Sequence, residues 1–151
     1  MRNLKQVAKY IIDNKGISFN PNLIDAKGNY LVPKSGYMVS DKGSELITSI
    51  EDVKPLLKSY IFKYAYNLKK DKYFGLWIDK EICIFDISTN IQDLKTAIIQ
   101  GMENNQEAIY NIDNKKTIYI PTNQIGTNYQ KKEYRKMKAE MYVKIGSFYQ
   151  S

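Results

Sequence analysis

The sequence contains no histidine and a single cysteine, and these two shortages exclude more chemistry than any motif suggests. Without histidine there is no Ser-His-Asp or Cys-His nucleophile pair, no H-E-x-x-H metal helix and no imidazole general base. One cysteine cannot close an internal disulfide, which agrees with a reducing compartment, and cannot build a cysteine–histidine zinc site. The eight glycines are scattered, so neither G-x-G-x-x-G nor a phosphate-binding P-loop occurs. No apolar run approaches the ~18–20 residues needed to span a bilayer. The amino-terminal stretch is broken by charge and lacks the apolar segment and small-residue cleavage site of a secretory signal. A cytoplasmic protein without a cofactor is expected.

What is present suits a globular fold. The chain has 151 residues, 43% hydrophobic and 26% charged, enough to bury a core. Lysine and arginine number 23 against 16 aspartate and glutamate, a net charge of +7. Such a balance favours anionic partners, whether nucleic acid or an acidic protein face, and equally describes a lysine-rich surface that serves solubility.

Hydrophobic periodicity predicts a helix over 3–14, with Leu4, Val7, Ala8, Ile11 and Ile12 on one stripe and Gly16 as its stop. Between 17 and 49 turn-forming N-P-N, A-K-G-N and P-K-S-G clusters leave only two short extended pieces, at 30–32 and 36–40. A second helix is expected over 52–67, its stripe formed by Val53, Leu56, Leu57, Tyr60, Ile61 and Tyr64, with Pro55 tolerated in the first turn.

The stretch 73–120 holds the only tryptophan, the only cysteine and the densest β-branched and aromatic runs, and is the expected folding core. Alternation over 73–79 and 81–87 predicts a hairpin. Phe74, Leu76, Ile78, Cys83, Phe85 and Ile87 lie on one face of it, with a mixed second face bearing Trp77, Asp79 and Asp86. Asn90, with Asp93 three residues on, suggests a capping box opening a third helix to about residue 104. A second hairpin follows over 108–112 and 117–120. The fold class is therefore α+β: an antiparallel sheet built from two β-hairpins packed against helices. Residues 1–121 form the expected core domain, and 122–151 a basic amphipathic helical extension.

That extension carries the main functional signal. Lys131, Lys132, Arg135, Lys136, Lys138 and Lys144 face only Glu133 and Glu140, and Tyr134, Met137, Met141, Ile145 and Phe148 recur at helical spacing. Lysines interleaved with Tyr134 suit a phosphate backbone with stacking, and they equally suit the solvated face of a terminal helix. The stripe is too poor in leucine and phenylalanine for membrane docking. Trp77 is an anchor for a base or a protein partner, or a residue covered by a helix. Asp79 and Asp86 share a face and could hold Mg²⁺, but a turn position for Asp79 and a lysine partner for Asp86 is the simpler account. Cys83 alternates with core residues and is expected to be packing, not a nucleophile.

The central segments G-Y-M-V-S (36–40), G-L-W-I-D (75–79), I-F-D-I-S (84–88), D-L-x-x-A (93–97) and N-N-Q-x-A-I-Y-N-I (104–112) resemble a group of small accessory proteins of phages and conjugative elements. The resemblance covers about half the chain, stops before the basic extension and brings no catalytic residues. It implies the genomic setting of a mobile element, where small histidine-free proteins are often inhibitors of host defence, anti-CRISPR proteins among them. The expectation is a non-enzymatic protein that binds a host defence nuclease complex or another nucleic-acid-handling protein. The alternative is a direct nucleic-acid-binding accessory protein. The contact residues expected are Lys131, Lys132, Tyr134, Arg135, Lys136, Lys138 and Trp77.

Overall fold

The computed structural model describes residues 1–121 together with Lys136, Ala139, Glu140 and Val143, with the backbone alone at Asn67 and Asp79. The chain is α+β, with three α-helices and eight strands among the described residues. Every strand pair whose register is described is antiparallel. Two compact units emerge: Met1–Pro33 with Gly43–Ser88, and Lys34–Lys42 with Thr89–Ser151.

In the first unit, helix α1 (Leu4–Asn14) opens on Asn3, whose Oδ1 accepts the Gln6 N–H at 2.9 Å. The expected stop moves by one residue. Lys15, not Gly16, takes the left-handed conformation at φ 67° and closes the helix by donating to the Ile11 carbonyl. Gly16 instead begins β1 (Gly16–Ile24), a nine-residue strand where turns were expected. Strand β1 pairs with β5 (Lys72–Asp79), bringing Ile17 beside Leu76 and Phe19 beside Phe74. On its other edge it meets the short β2 (Tyr30–Leu31), and the register slips between Asn20 and Ile24, around Pro21. A proline has no N–H for the ladder, so it is tolerated at such an irregularity. Asn20 compensates: its side-chain amide donates to the carbonyls of Lys69 and Lys72, and its Oδ1 accepts the Asn22 N–H.

Strand β6 (Ile82–Ile91) neighbours β5, and β4 (Leu46–Ser49) pairs with β6. Helix α2 (Val53–Tyr64) lies between single-turn 3₁₀ segments at Ile50–Asp52 and Ala65–Asn67, with Pro55 in its first turn. Helices α1 and α2 cover one face of these strands. Val7, Ala8 and Ile11, with Val53, Leu57, Tyr60 and Ile61, bury against Ile17, Phe19, Phe74, Leu76, Cys83 and Phe85. The Tyr60 ring stacks on Phe85 at 5.3 Å, and its hydroxyl escapes the apolar surroundings by donating to the Ser44 carbonyl at 2.7 Å. Burial of each such large side chain contributes about 1.5–3 kcal/mol.

In the second unit, β3 (Tyr37–Ser40) pairs with β7 (Ala108–Asn111), and β7 with β8 (Lys116–Tyr119). Helix α3 (Leu94–Glu103) is capped by Asp93, while Asn90, the expected cap, remains in β6 and donates to the Ser35 carbonyl. Ala97, Ile98 and Met102 bury against Val39, Ile109, Ile118 and Ile120. Ala139 is fully buried in the same cluster, and Glu140 accepts from Lys95 at 2.7 Å. The two units are interleaved along the sequence, and the boundary between Ser88 and Thr89 falls within the residues of β6.

Candidate functional site

Trp77 sits on the β5 face opposite the helices and is half-buried. The β1–β5 register sets Gly16 opposite Trp77 and Ser18 opposite Gly75. The indole lies along its own sheet. A Cβ at Gly16 would come within 2.5 Å of Trp77 Cε3, and one at Gly75 within 3.0 Å of Trp77 Nε1 and into collision with Asp86 Oδ1. Two glycines therefore make the floor on which the ring rests, and one ring face is committed to backbone. Asp86 is almost wholly buried and accepts from the equally buried Ser88 hydroxyl at 3.2 Å. A buried carboxylate demands such partners, since desolvating it alone would cost several kcal/mol.

Only the backbone of Asp79 is described, at the end of β5. Among the described residues no three aspartate, glutamate or cysteine side chains are grouped to hold a metal ion. Cys83 is completely buried beneath α1 and α2. Burial pushes its thiol pKa up, with backbone hydrogen bonds at Trp77 and Ile84 opposing in part. That is the reverse of an activated nucleophile.

Of the expected basic residues, Lys131, Lys132, Arg135 and Lys138 lie outside the described residues, as does Tyr134. So do Met137, Met141, Ile145 and Phe148 of the expected stripe. Lys136 is described: its backbone is helical and its side chain exposed. Trp77 belongs to the first unit and Lys136 to the second.

The structure adds a surface that sequence reasoning passed over. The stretch 53–70 carries five lysines and no carboxylate, a denser positive charge than the carboxy-terminal extension. The buried stripe of α2 turns Lys54, Lys58 and Phe62 outward at four-residue intervals, and Tyr66 follows at the same interval in the 3₁₀ turn. Phe62 is 88% exposed and Tyr66 96% exposed, the most exposed large apolar side chains among the described residues. Side chains four apart on a helix are neighbours on one ridge. This ridge is flanked by two clefts. One, of about 320 Å³, is lined by Lys5, Gln6, Lys9, Ile12, Asp13 and Lys54. The other, of about 260 Å³, lies between α2 and the segment leading into β4, with Lys63 and Tyr64 on its wall. The Lys63 ammonium stands 5.1 Å from the centre of the Tyr64 ring, a cation–π distance.

Two signals made the ridge findable: a charge count by window, and the position of Phe62 opposite the apolar stripe. That no described element covers the ridge is what only the fold supplies. No family model, curated protein or solved structure matches the chain. The arrangement must be read from its own chemistry: exposed aromatic side chains among lysines that outnumber the carboxylates Asp13 and Glu45 of the flanking clefts, suited to binding an anionic partner.

Proposed function

We propose that this is a non-catalytic accessory protein of a phage or other mobile element, acting in the bacterial cytoplasm by binding and inhibiting a host nucleic-acid-handling defence complex, as anti-CRISPR proteins do. The observation that carries the binding role is the pair Phe62 and Tyr66, 88% and 96% exposed beside lysines of α2. Aromatic side chains that fill partner pockets dominate binding energies at interfaces, and flanking charge steers encounter with an acidic target. Resemblance of the central segments to mobile-element accessory proteins supplies the setting. The extension 122–151, proposed as a basic amphipathic helix following the two hairpins, adds a second cationic surface through Lys131, Lys132, Arg135, Lys136 and Lys138, with Tyr134 among them. Trp77, half-buried on β5, is a further proposed contact.

The test is capture from host lysate with and without nuclease treatment, followed by a cleavage assay of what is captured. The expected result is a discrete nuclease complex that survives the treatment and loses cleavage activity when the protein is added. Recovery of nucleic acid alone would sink the inhibitor reading. It would promote the alternative, direct nucleic-acid binding through the carboxy-terminal extension, which its +4 net charge favours. A full-length variant with those five basic residues changed to glutamine separates the extension from the rest of the chain.

A further inference from the structure

We infer that the α2 ridge, with the lysine cleft beside it, is a binding surface for single-stranded nucleic acid. The inference concerns a different surface from the carboxy-terminal extension; it shares the α2 ridge with the host-complex reading but does not require that reading to be correct.

The geometry has two parts. Lys5 and Lys9 on α1 and Lys54 on α2 line one cleft, with Asp13 as its single carboxylate. Lys58 continues the line of Lys54 along α2 and leads to Phe62 and Tyr66. From Lys54 to Phe62 the helical ridge is about 12 Å long at ~1.5 Å per residue, and Tyr66 follows in the 3₁₀ turn beyond it. A strand laid along it meets ammonium groups at one end and two aromatic faces at the other. Lysine ammonium groups act as compact point charges for phosphate oxygens.

The exposed aromatic side chains favour an unpaired strand over a duplex. Phe62 has no polar atom, so its exposed ring offers only a face, and every base has a π-face to set against it. Duplex bases are already stacked and cannot use such a platform. An acidic protein surface meets the same lysines without needing a bare π-face, so dependence of oligothymidylate binding on Phe62 distinguishes the two occupants.

The probe is a fluorescein-labelled oligothymidylate, which has no secondary structure of its own, titrated with the full-length protein and followed by anisotropy across a salt series. Duplex DNA of equal length serves as comparison. Phe62, Tyr66, Lys54 and Lys58 project outward, so Phe62→Ala, Tyr66→Ala and the pair Lys54→Gln with Lys58→Gln leave the core intact. We expect each aromatic variant to weaken oligothymidylate binding about 5- to 150-fold at fixed salt, with the salt slope unchanged. The lysine pair should reduce the log–log salt slope by about 1.4, at ~0.7 per phosphate contact on a single strand. Duplex should bind more weakly and be indifferent to Phe62→Ala.

The inference is overturned if wild-type protein fails to bind oligothymidylate, or if binding is unaffected by the ridge variants and lost when the carboxy-terminal lysines are neutralised. It is also overturned if Phe62→Ala leaves the affinity unchanged but abolishes a concentration-dependent dimer, which would make the ridge an interface between copies of this chain. Failure to capture a host nuclease complex leaves this result standing, and failure of the oligonucleotide to bind leaves the inhibitor reading standing.

Discussion

At the scale of single residues, the decisive feature of the first unit is how little room surrounds Trp77. Its indole is accommodated because residues 16 and 75 lack a Cβ, and the Gly75 position is also where Asp86 Oδ1 and Trp77 Nε1 converge. Strand interiors disfavour glycine for entropic reasons, so its presence at the middle of β5 marks a close approach. Gly75→Ala should therefore force the indole or the buried carboxylate aside. Overpacking of this kind costs about 1–3 kcal/mol. At ~2–4 °C per kcal/mol for a chain of this size, thermal unfolding should drop by several degrees. Because the protein has one tryptophan, its fluorescence reports the displacement directly. An unchanged melting temperature and emission spectrum would show that the floor beneath the ring is not tight.

At the scale of elements, the start of α3 contains a titratable cap. Asp93 Oδ2 accepts from the Thr96 hydroxyl at 2.7 Å and from the Thr96 N–H at 2.8 Å. The side-chain bond to Thr96, then the backbone bond, hold its carboxyl below the usual aspartate range, against partial opposition from burial. A folded-state value depressed below the unfolded one stabilises the native state above the unfolded pKa. That contribution is lost as the pH falls through the unfolded value of about 3.9 and then the folded one. Asp93→Asn keeps a capping oxygen but cannot titrate. The wild type should be the more stable of the two above about pH 5, and the advantage should vanish in acid unfolding curves once the pH falls below the depressed folded-state value. A gap between the curves that does not change with pH would remove the ionised cap from the account.

The same elements show what could be read from the chain. The helical stripes of α1 and α2 were legible because each buries one face, except that Ile12, expected on the α1 stripe, is 45% exposed; the inward parity of Phe74, Leu76, Cys83 and Phe85 was legible too. Strand β1 was hidden by Asn20, Pro21 and Asn22, a turn signature on local grounds. Its resolution is long-range, because Asn20 serves carbonyls about fifty positions away, at Lys69 and Lys72. Strand β4 was hidden by brevity, four residues whose strand character rests on pairing with β6. The cap shifted from Asn90 to Asp93 because Asn90 is occupied with the Ser35 carbonyl. In the candidate site, the outward direction of Phe62 followed from helical phase. Its exposure depended on no other described element covering it, which no local pattern encodes.

At the scale of the whole molecule, composition separates the last 30 residues as a charged appendage, while packing ties part of them to a core. Ala139 is fully buried with Val39, Ala97, Ile98 and Met102, and Lys95 on α3 holds Glu140 at 2.7 Å. The ion pair is exposed and contributes little, about 0–1 kcal/mol. The apolar contact matters more, because removing it returns parts of Ala97 and Ile98 to water at ~25 cal/mol per Å². A chain ending at Pro121 should therefore unfold at lower temperature than the full protein. The full-length chain with Lys131, Lys132, Arg135 and Lys138 changed to glutamine should keep its melting temperature, since charge and packing are separate contributions. Thermal unfolding of the three proteins side by side decides the matter. A truncated chain as stable as the intact one would make 122–151 an independent appendage, and its deletion would then be a clean test of nucleic-acid binding. The expected loss of stability means that loss of binding on truncation cannot be assigned to charge, so full-length charge variants are the proper instrument for every test of this protein's partners.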